Sequence, residues 1–243
     1  VLGISTEDQL WEPNAPGDVN GLYLNTDGTS INSNIYTRDV IKTTNIGFRF
    51  LDQDIYKSLV ADLDDLVVNK KIKEWKPYAY DWRQDVQDIV DNGTKYQDGN
   101  KSLTDTLQFL VDNSRNGKVT IVAHSNGGLI AKALLKKLQD DKNAGRNNLI
   151  DKIENIVMVA SPQLGTPDGM SAILHGYKKS LPFNIMSEIQ ARKLANNMPS
   201  AYGLLPSVKY FEQLGIVPPA VFSSTASQIY KTTYGEDINN YQE

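Results

Sequence analysis

The chain has 243 residues, 40% of them hydrophobic and 22% charged, enough for one α/β domain or two small ones with a sizeable buried core. A formal net charge of -4 and the lack of a basic stripe argue against a nucleic-acid partner. No cysteine is present, which excludes disulfides, thiolate zinc sites and cysteine nucleophiles.

The first fifty residues are rich in Asn, Asp, Gly and Thr and predict loops and short strands. Turns are expected at Trp11-Glu12-Pro13-Asn14 and Thr26-Asp27-Gly28. Val1-Leu2-Gly3-Ile4-Ser5 has neither the pattern of a signal peptide nor an initiator methionine, so a processed product or a piece of a longer protein is expected. No apolar run is long enough to span a bilayer. Regularity begins near Asp54, where Ile55, Leu59, Leu63, Leu66 and Val67 recur at helical spacing. Asp62, Asp64 and Asp65 fall in that stretch and read as a solvated helix face, since the Gly and distal Glu of a calcium loop are missing. Pro77-Tyr78-Ala79-Tyr80-Asp81 reads as a short strand. A second helix is predicted from Ser102, capped with Asp105 three residues on, burying Leu103, Leu107, Leu110 and Val111 and stopping at Asn116-Gly117.

Val119-Thr120-Ile121-Val122 predicts a buried strand. A third helix follows, marked by Leu129, Ile130, Ala133, Leu134 and Leu138, and then a strand at Ile156-Val157-Met158-Val159-Ala160, closed by Ser161-Pro162. Strands alternating with helices predict a parallel sheet with crossover helices, an α/β class. Residues 166–235 lose that alternation and are read as a lid-like insertion over one end of the sheet, within a single domain spanning 1–243.

Between the third helix and its preceding strand lies Ala123-His124-Ser125-Asn126-Gly127-Gly128, a small-x-Ser-x-Gly pattern. A serine hydroxyl is a poor nucleophile until a base takes its proton. A sharp strand-to-helix turn lifts such a serine above the sheet, and small residues at positions 123 and 127 would keep that turn free of clashes. Gly128 would let the helix pack close to its neighbours. The helix N-terminus adds partial positive charge, and the Asn126 amide is the expected first oxyanion donor, with an earlier loop supplying the second.

The elbow resembles that of lipases. Three further segments narrow the resemblance to the lecithin–cholesterol acyltransferase-like branch of the α/β-hydrolases: Tyr80-Asp81-Trp82-Arg83, Ser161-Pro162-Gln163-Leu164-Gly165-Thr166, and Met198-Pro199-Ser200-Ala201-Tyr202-Gly203-Leu204-Leu205-Pro206. All four occur in that family's order over roughly residues 75–210. The resemblance implies an α/β-hydrolase fold and hydrolysis or transfer of acyl groups of a lipid ester through an acyl-serine at Ser125. It implies no metal or organic cofactor, and a substrate met at a membrane or lipoprotein-like surface. A bacterial secreted or cell-surface protein fits these traits. The family's triad runs Ser, Asp, His, with Asp and His beyond the lid. The chain is therefore expected to lack its triad partners and its oxyanion loop, being incomplete at both ends.

Other candidates read as structural. His124 should point away from Ser125, and His175 falls in the lid-like stretch. Asp168 reads as a loop or capping residue. Asp81 and Arg83 read as an ion pair beside a packed Trp82. Leu181, Phe183, Ile185, Met186 and Ile189 form an apolar cluster that contacts either acyl chains or the sheet edge. Two rival functions stay open here: a binding protein using the fold without chemistry, and an esterase or peptidase of small substrates.

Overall fold

The structure, a computed structural model, describes residues 2–3, 8–11, 13, 15, 17–44, 53–176 and 186–215. Glu12, Asn14, Leu181, Phe183 and Ile185, and the predicted lid beyond residue 215, lie outside the described residues.

In chain order the N-terminal part holds β1 (Leu2–Gly3), β2 (Gln9–Trp11), α1 (Asp18–Gly21), β3 (Tyr36–Thr37), β4 (Thr43–Thr44) and β5 (Gln53–Asp54). Then come α2 (Lys57–Val68), α3 (Val86–Asn92), β6 (Thr94–Tyr96), β7 (Gly99–Lys101) and α4 (Leu103–Asn113). The centre is β8 (Val119–His124), α5 (Gly127–Asn143) and β9 (Ile153–Val159). Four helices follow: α6 (Pro167–His175), α7 (Glu188–Ala195), α8 (Pro199–Gly203) and α9 (Val208–Leu214).

β8 and β9 pair in parallel with α5 as the connection between them, from Thr120 opposite Asn155 to His124 opposite Val159. This is the strand–helix–strand unit that the alternation predicts. A second, mixed sheet has the order β2-β1-β3-β6-β7. It contains the β6–β7 hairpin around Gln97-Asp98, which the sequence reading missed although Asp98-Gly99 is a turn signal. The predicted strand at 77–81 does not form a ladder. Pro77 brings no N–H, and the segment instead lays Tyr78 and Tyr80 against the core while Ala79 accepts a hydrogen bond from the Tyr96 hydroxyl.

Two hydrophobic clusters anchor these layers. The first packs Ile89, Val90, Leu107, Val111, Ile130, Leu134, Leu138 and Leu149 beneath the β8–α5–β9 unit. Each large aliphatic side chain buried there contributes about 1.5–3 kcal/mol. Ser102 caps α4 by accepting from the Asp105 amide at 3.2 Å, as predicted, but the helix ends at Asn113, three residues before the expected Asn116-Gly117 stop. The second cluster joins Leu10, Val19, Leu22, Tyr23 and Ile35 to Leu194 of α7.

The predicted burial of the strand Val119-Thr120-Ile121-Val122 is corrected. Val119 and Ile121 face the first cluster, while Val122 on the other face is 51% exposed, and Val157 and Val159 are each 47% exposed. The helix predicted from Ile55 starts at Lys57 and none of its residues is buried. Asp62, Asp64 and Asp65 are exposed on it, and no group of three or more metal-ligating side chains is found among the described residues.

Four carboxylates are held below their ordinary value of 3.8. Asp27 accepts from Thr29, Asp54 from Ser58, Asp91 from Gln87 and Lys137, and Asp141 from Arg146 and Asn147. A depressed carboxylate stabilises the fold above its unfolded pKa, and that stability is lost as pH falls through the lower folded value. The melting temperature is therefore expected to drop as pH is taken below about 4. A melting temperature unchanged between about pH 5 and pH 3 would contradict these assignments.

Candidate active site

β8 ends at His124 and α5 begins at Gly127, so the turn between them has two residues, Ser125 and Asn126. Ser125 has φ +52°, in the left-handed region that costs a non-glycine residue about 1–3 kcal/mol. Such a conformation persists only when neighbours over-determine it. The Ser125 amide donates to Val159 O at 2.9 Å, fixing the turn to the end of β9, and the Gly128 amide donates to Ser125 O at 3.0 Å. The serine is exposed. Among the described residues the Asn126 and Gly127 amides have no acceptor, so both remain available at the helix N-terminus. This is a strained, solvent-facing serine beside free backbone donors, an arrangement that can carry nucleophilic attack on a carbonyl and hold the resulting oxyanion.

Of the two glycines, Gly128 makes the close approach expected of it, whereas Gly127 does not need to be small. A Cβ added at Gly127 would lie 3.9 Å from Ala123 Cβ, ordinary contact. At Gly128 it would lie 2.1 Å from Ser161 Oγ and 2.5 Å from Ser161 Cβ. Gly128 is thus the position where α5 meets the segment after β9. Gly128→Ala is expected to cost about 1–3 kcal/mol, read as a lowered denaturation midpoint. A change below about 0.5 kcal/mol would mean that the Ser161 loop moves aside freely.

The segments that resemble one family come together in space. Tyr80 packs beneath the turn with its hydroxyl by the Asn126 side chain; burial, then the nearby Tyr56, pushes it up to about 12 against the opposing Asn126 hydrogen bond, so it stays protonated at neutral pH. Gly128 touches Ser161. The Thr166 amide donates to Leu204 O at 2.8 Å, and Ser207 to Leu164 O at 2.8 Å. Gly165, at φ +84°, lies so close to Leu205 O that a Cβ would sit 2.1 Å from it. Ser200 N donates to Arg83 O at 3.3 Å, which closes the circle.

Arg83 is 0% exposed and makes four hydrogen bonds through Nε, Nη1 and Nη2. Nε and Nη2 grip Asp81 at 2.9 and 2.6 Å, Nη1 donates to Leu22 O at 2.9 Å, and Nη2 reaches Ser30 Oγ at 2.7 Å. Trp82 packs against Trp11 at 4.6 Å, ring centre to ring centre, with the rings tilted by 50°. The ion pair and packed indole read from the sequence are present, and they tie residues 81–83 to the N-terminal layer.

The remaining candidates fall apart from Ser125. His124 turns to Tyr56, whose hydroxyl lies 2.6 Å from Nδ1. His175 is exposed at the end of α6. Asp168 stands in the first turn of α6, where Thr166 rather than Asp168 is the cap. Among the described residues no hydrogen bond or ion pair joins His175 or Asp168 to Ser125. Met186 packs against the second cluster whereas Ile189 is 81% exposed, so the predicted apolar patch is divided. Tyr56 has no mark in the sequence that would single it out.

No helix among the described residues is long and apolar enough to cross a membrane. No curated protein and no solved structure matches the chain significantly. A family model described as lecithin:cholesterol acyltransferase matches residues 45–243, a stretch that contains the strained serine turn and all three segments gathered around it. The chain belongs to the lecithin:cholesterol acyltransferase family.

Proposed function

We propose that this chain supplies the nucleophile of a serine acyl hydrolase or O-acyltransferase acting on a lipid ester. The observation that carries the reading is Ser125 at φ +52° between a parallel strand and the N-terminus of α5. Family membership supports lipid acyl transfer or hydrolysis, and with it an α/β-hydrolase architecture in which residues 166–235 form a lid.

In this mechanism Ser125 Oγ attacks the ester carbonyl carbon as its proton passes to a general base. The carbonyl oxygen takes up negative charge and accepts from the Asn126 amide. Collapse breaks the bond to the alcohol, which leaves with the proton, and an acyl-serine remains. Water or a second alcohol then repeats the sequence in reverse and frees Ser125. The reading requires a histidine and an acidic residue that the described residues do not bring to Ser125, and a second oxyanion donor. No metal or organic cofactor takes part in it. The partner is the lipid ester itself, presented at a membrane or lipoprotein-like surface.

The test is fatty-acid release from phospholipid vesicles by the full-length protein. Release, with or without transfer to an added alcohol, is the expected result. Turnover of short-chain esters with none on vesicles would assign the site to small substrates instead.

A further inference from the structure

The side chain of the residue just before the nucleophile is held from outside the β8–α5–β9 unit. The Tyr56 hydroxyl lies 2.6 Å from His124 Nδ1, and the two rings meet edge to face at 5.6 Å with an interplanar angle of 77°. The bond spans 68 positions of sequence, from the entry of α2 to the end of β8.

Tyr56 is itself anchored. The amides of Ile55, Tyr56 and Lys57 all point at Lys42 O, at 3.0, 3.2 and 3.1 Å. The Asp54 carboxylate takes the Lys57 amide at 2.8 Å and the Ser58 amide at 3.1 Å, capping the helix that Tyr56 precedes. The phenol therefore stands on a backbone fixed at four successive residues. Burial raises the Tyr56 hydroxyl above its ordinary value, so it is a donor at neutral pH. In the neutral imidazole Nδ1 is then the acceptor and the ring proton sits on Nε2.

We propose that Tyr56 is a positioning residue for Ser125, acting through His124; this rests on the reading of Ser125 as the nucleophile. The strained turn is held on its inner side by Val159 O and by the Gly128 amide. The Tyr56–His124 bond fixes its outer side, at the residue directly before the serine. Loss of the outer brace lets the His124 ring and the end of β8 shift, and small displacements of a reacting atom carry large rate penalties. A brace that acts on the position of Ser125 is expected to affect the chemical step.

The test is labelling of Ser125 by a fluorophosphonate in the full-length protein, with the maximal rate and the half-saturating probe concentration measured separately. Tyr56→Phe keeps the ring and removes only the hydroxyl. Its maximal rate is expected to fall about tenfold with half-saturation unchanged. His124→Ala should show a similar loss, and Tyr56→Phe should add nothing in that background. A Tyr56→Phe protein that labels at the wild-type rate overturns the proposal, as do losses that multiply in the double variant. A Tyr56→Phe protein that no longer folds, judged by its melting curve, makes Tyr56 a fold-holding residue and also overturns it. A wild-type protein that takes no label overturns the nucleophile reading first and this proposal with it.

Discussion

Ser125→Ala is expected to lower turnover of lipid ester by about 10⁴- to 10⁶-fold while leaving the fold intact. The magnitude follows from the role assigned to the hydroxyl. Without Oγ no acyl-enzyme can form, and only binding and oxyanion donors remain to assist direct attack by water. The alanine side chain is smaller than the serine it replaces and is exposed, so packing is preserved. Backbone strain at φ +52° is also kept, because alanine resists the left-handed region as serine does. Substrate affinity should therefore survive, and the loss should lie in kcat. A loss below about tenfold would place the chemistry on another residue.

Arg83→Met is expected to be the most damaging single change to stability, at about 3–5 kcal/mol. Its guanidinium is 0% exposed and serves Asp81, Leu22 O and Ser30 together. Removing it leaves the Asp81 carboxylate, only 19% exposed, without its counter-charge, and strands a carbonyl. For a chain of this length the melting temperature should fall by about 6–20 °C. The pair acts as a unit, so Asp81→Leu combined with Arg83→Met should cost less than the sum of the two single changes by at least about 1 kcal/mol. Strict additivity would show that the two side chains do not depend on each other. The damage should reach the site too, because the Arg83 carbonyl receives Ser200 N and Tyr80 stands three residues before Arg83.

The turn at Ser125 was legible because local chemistry decides it. A β-branched run, a small-x-Ser-x-Gly pattern and an amphipathic helix mark strand, turn and helix within one short stretch of sequence. Ser102 as a cap, and the ion pair of Asp81 with Arg83, were readable for the same reason. Errors arose where distant partners decide. Residues 77–81 have the composition of a strand but meet no ladder, so they run as an unpaired segment under the core. Val122, Val157 and Val159 have the composition of buried strands, yet among the described residues only one face of β8 is packed. Helix α3 was missed although Asp85 caps it, accepting from the Gln87 amide at 2.7 Å, and Gly93 ends it. At the site, the close approach expected at Gly128 is present, but that Ser161 is the neighbour is a tertiary fact, and Gly127 meets only ordinary contact. Tyr56 was invisible for the same cause, since its partner lies 68 positions away.

The most direct measurement is the site of a covalent adduct. The full-length protein is treated with a fluorophosphonate, digested, and its peptides are weighed. One stoichiometric adduct is expected on the peptide carrying Ala123-His124-Ser125-Asn126-Gly127-Gly128, localised to Ser125 and lost in Ser125→Ala. An adduct on a different serine, or none under conditions in which the protein releases fatty acid from vesicles, would contradict it.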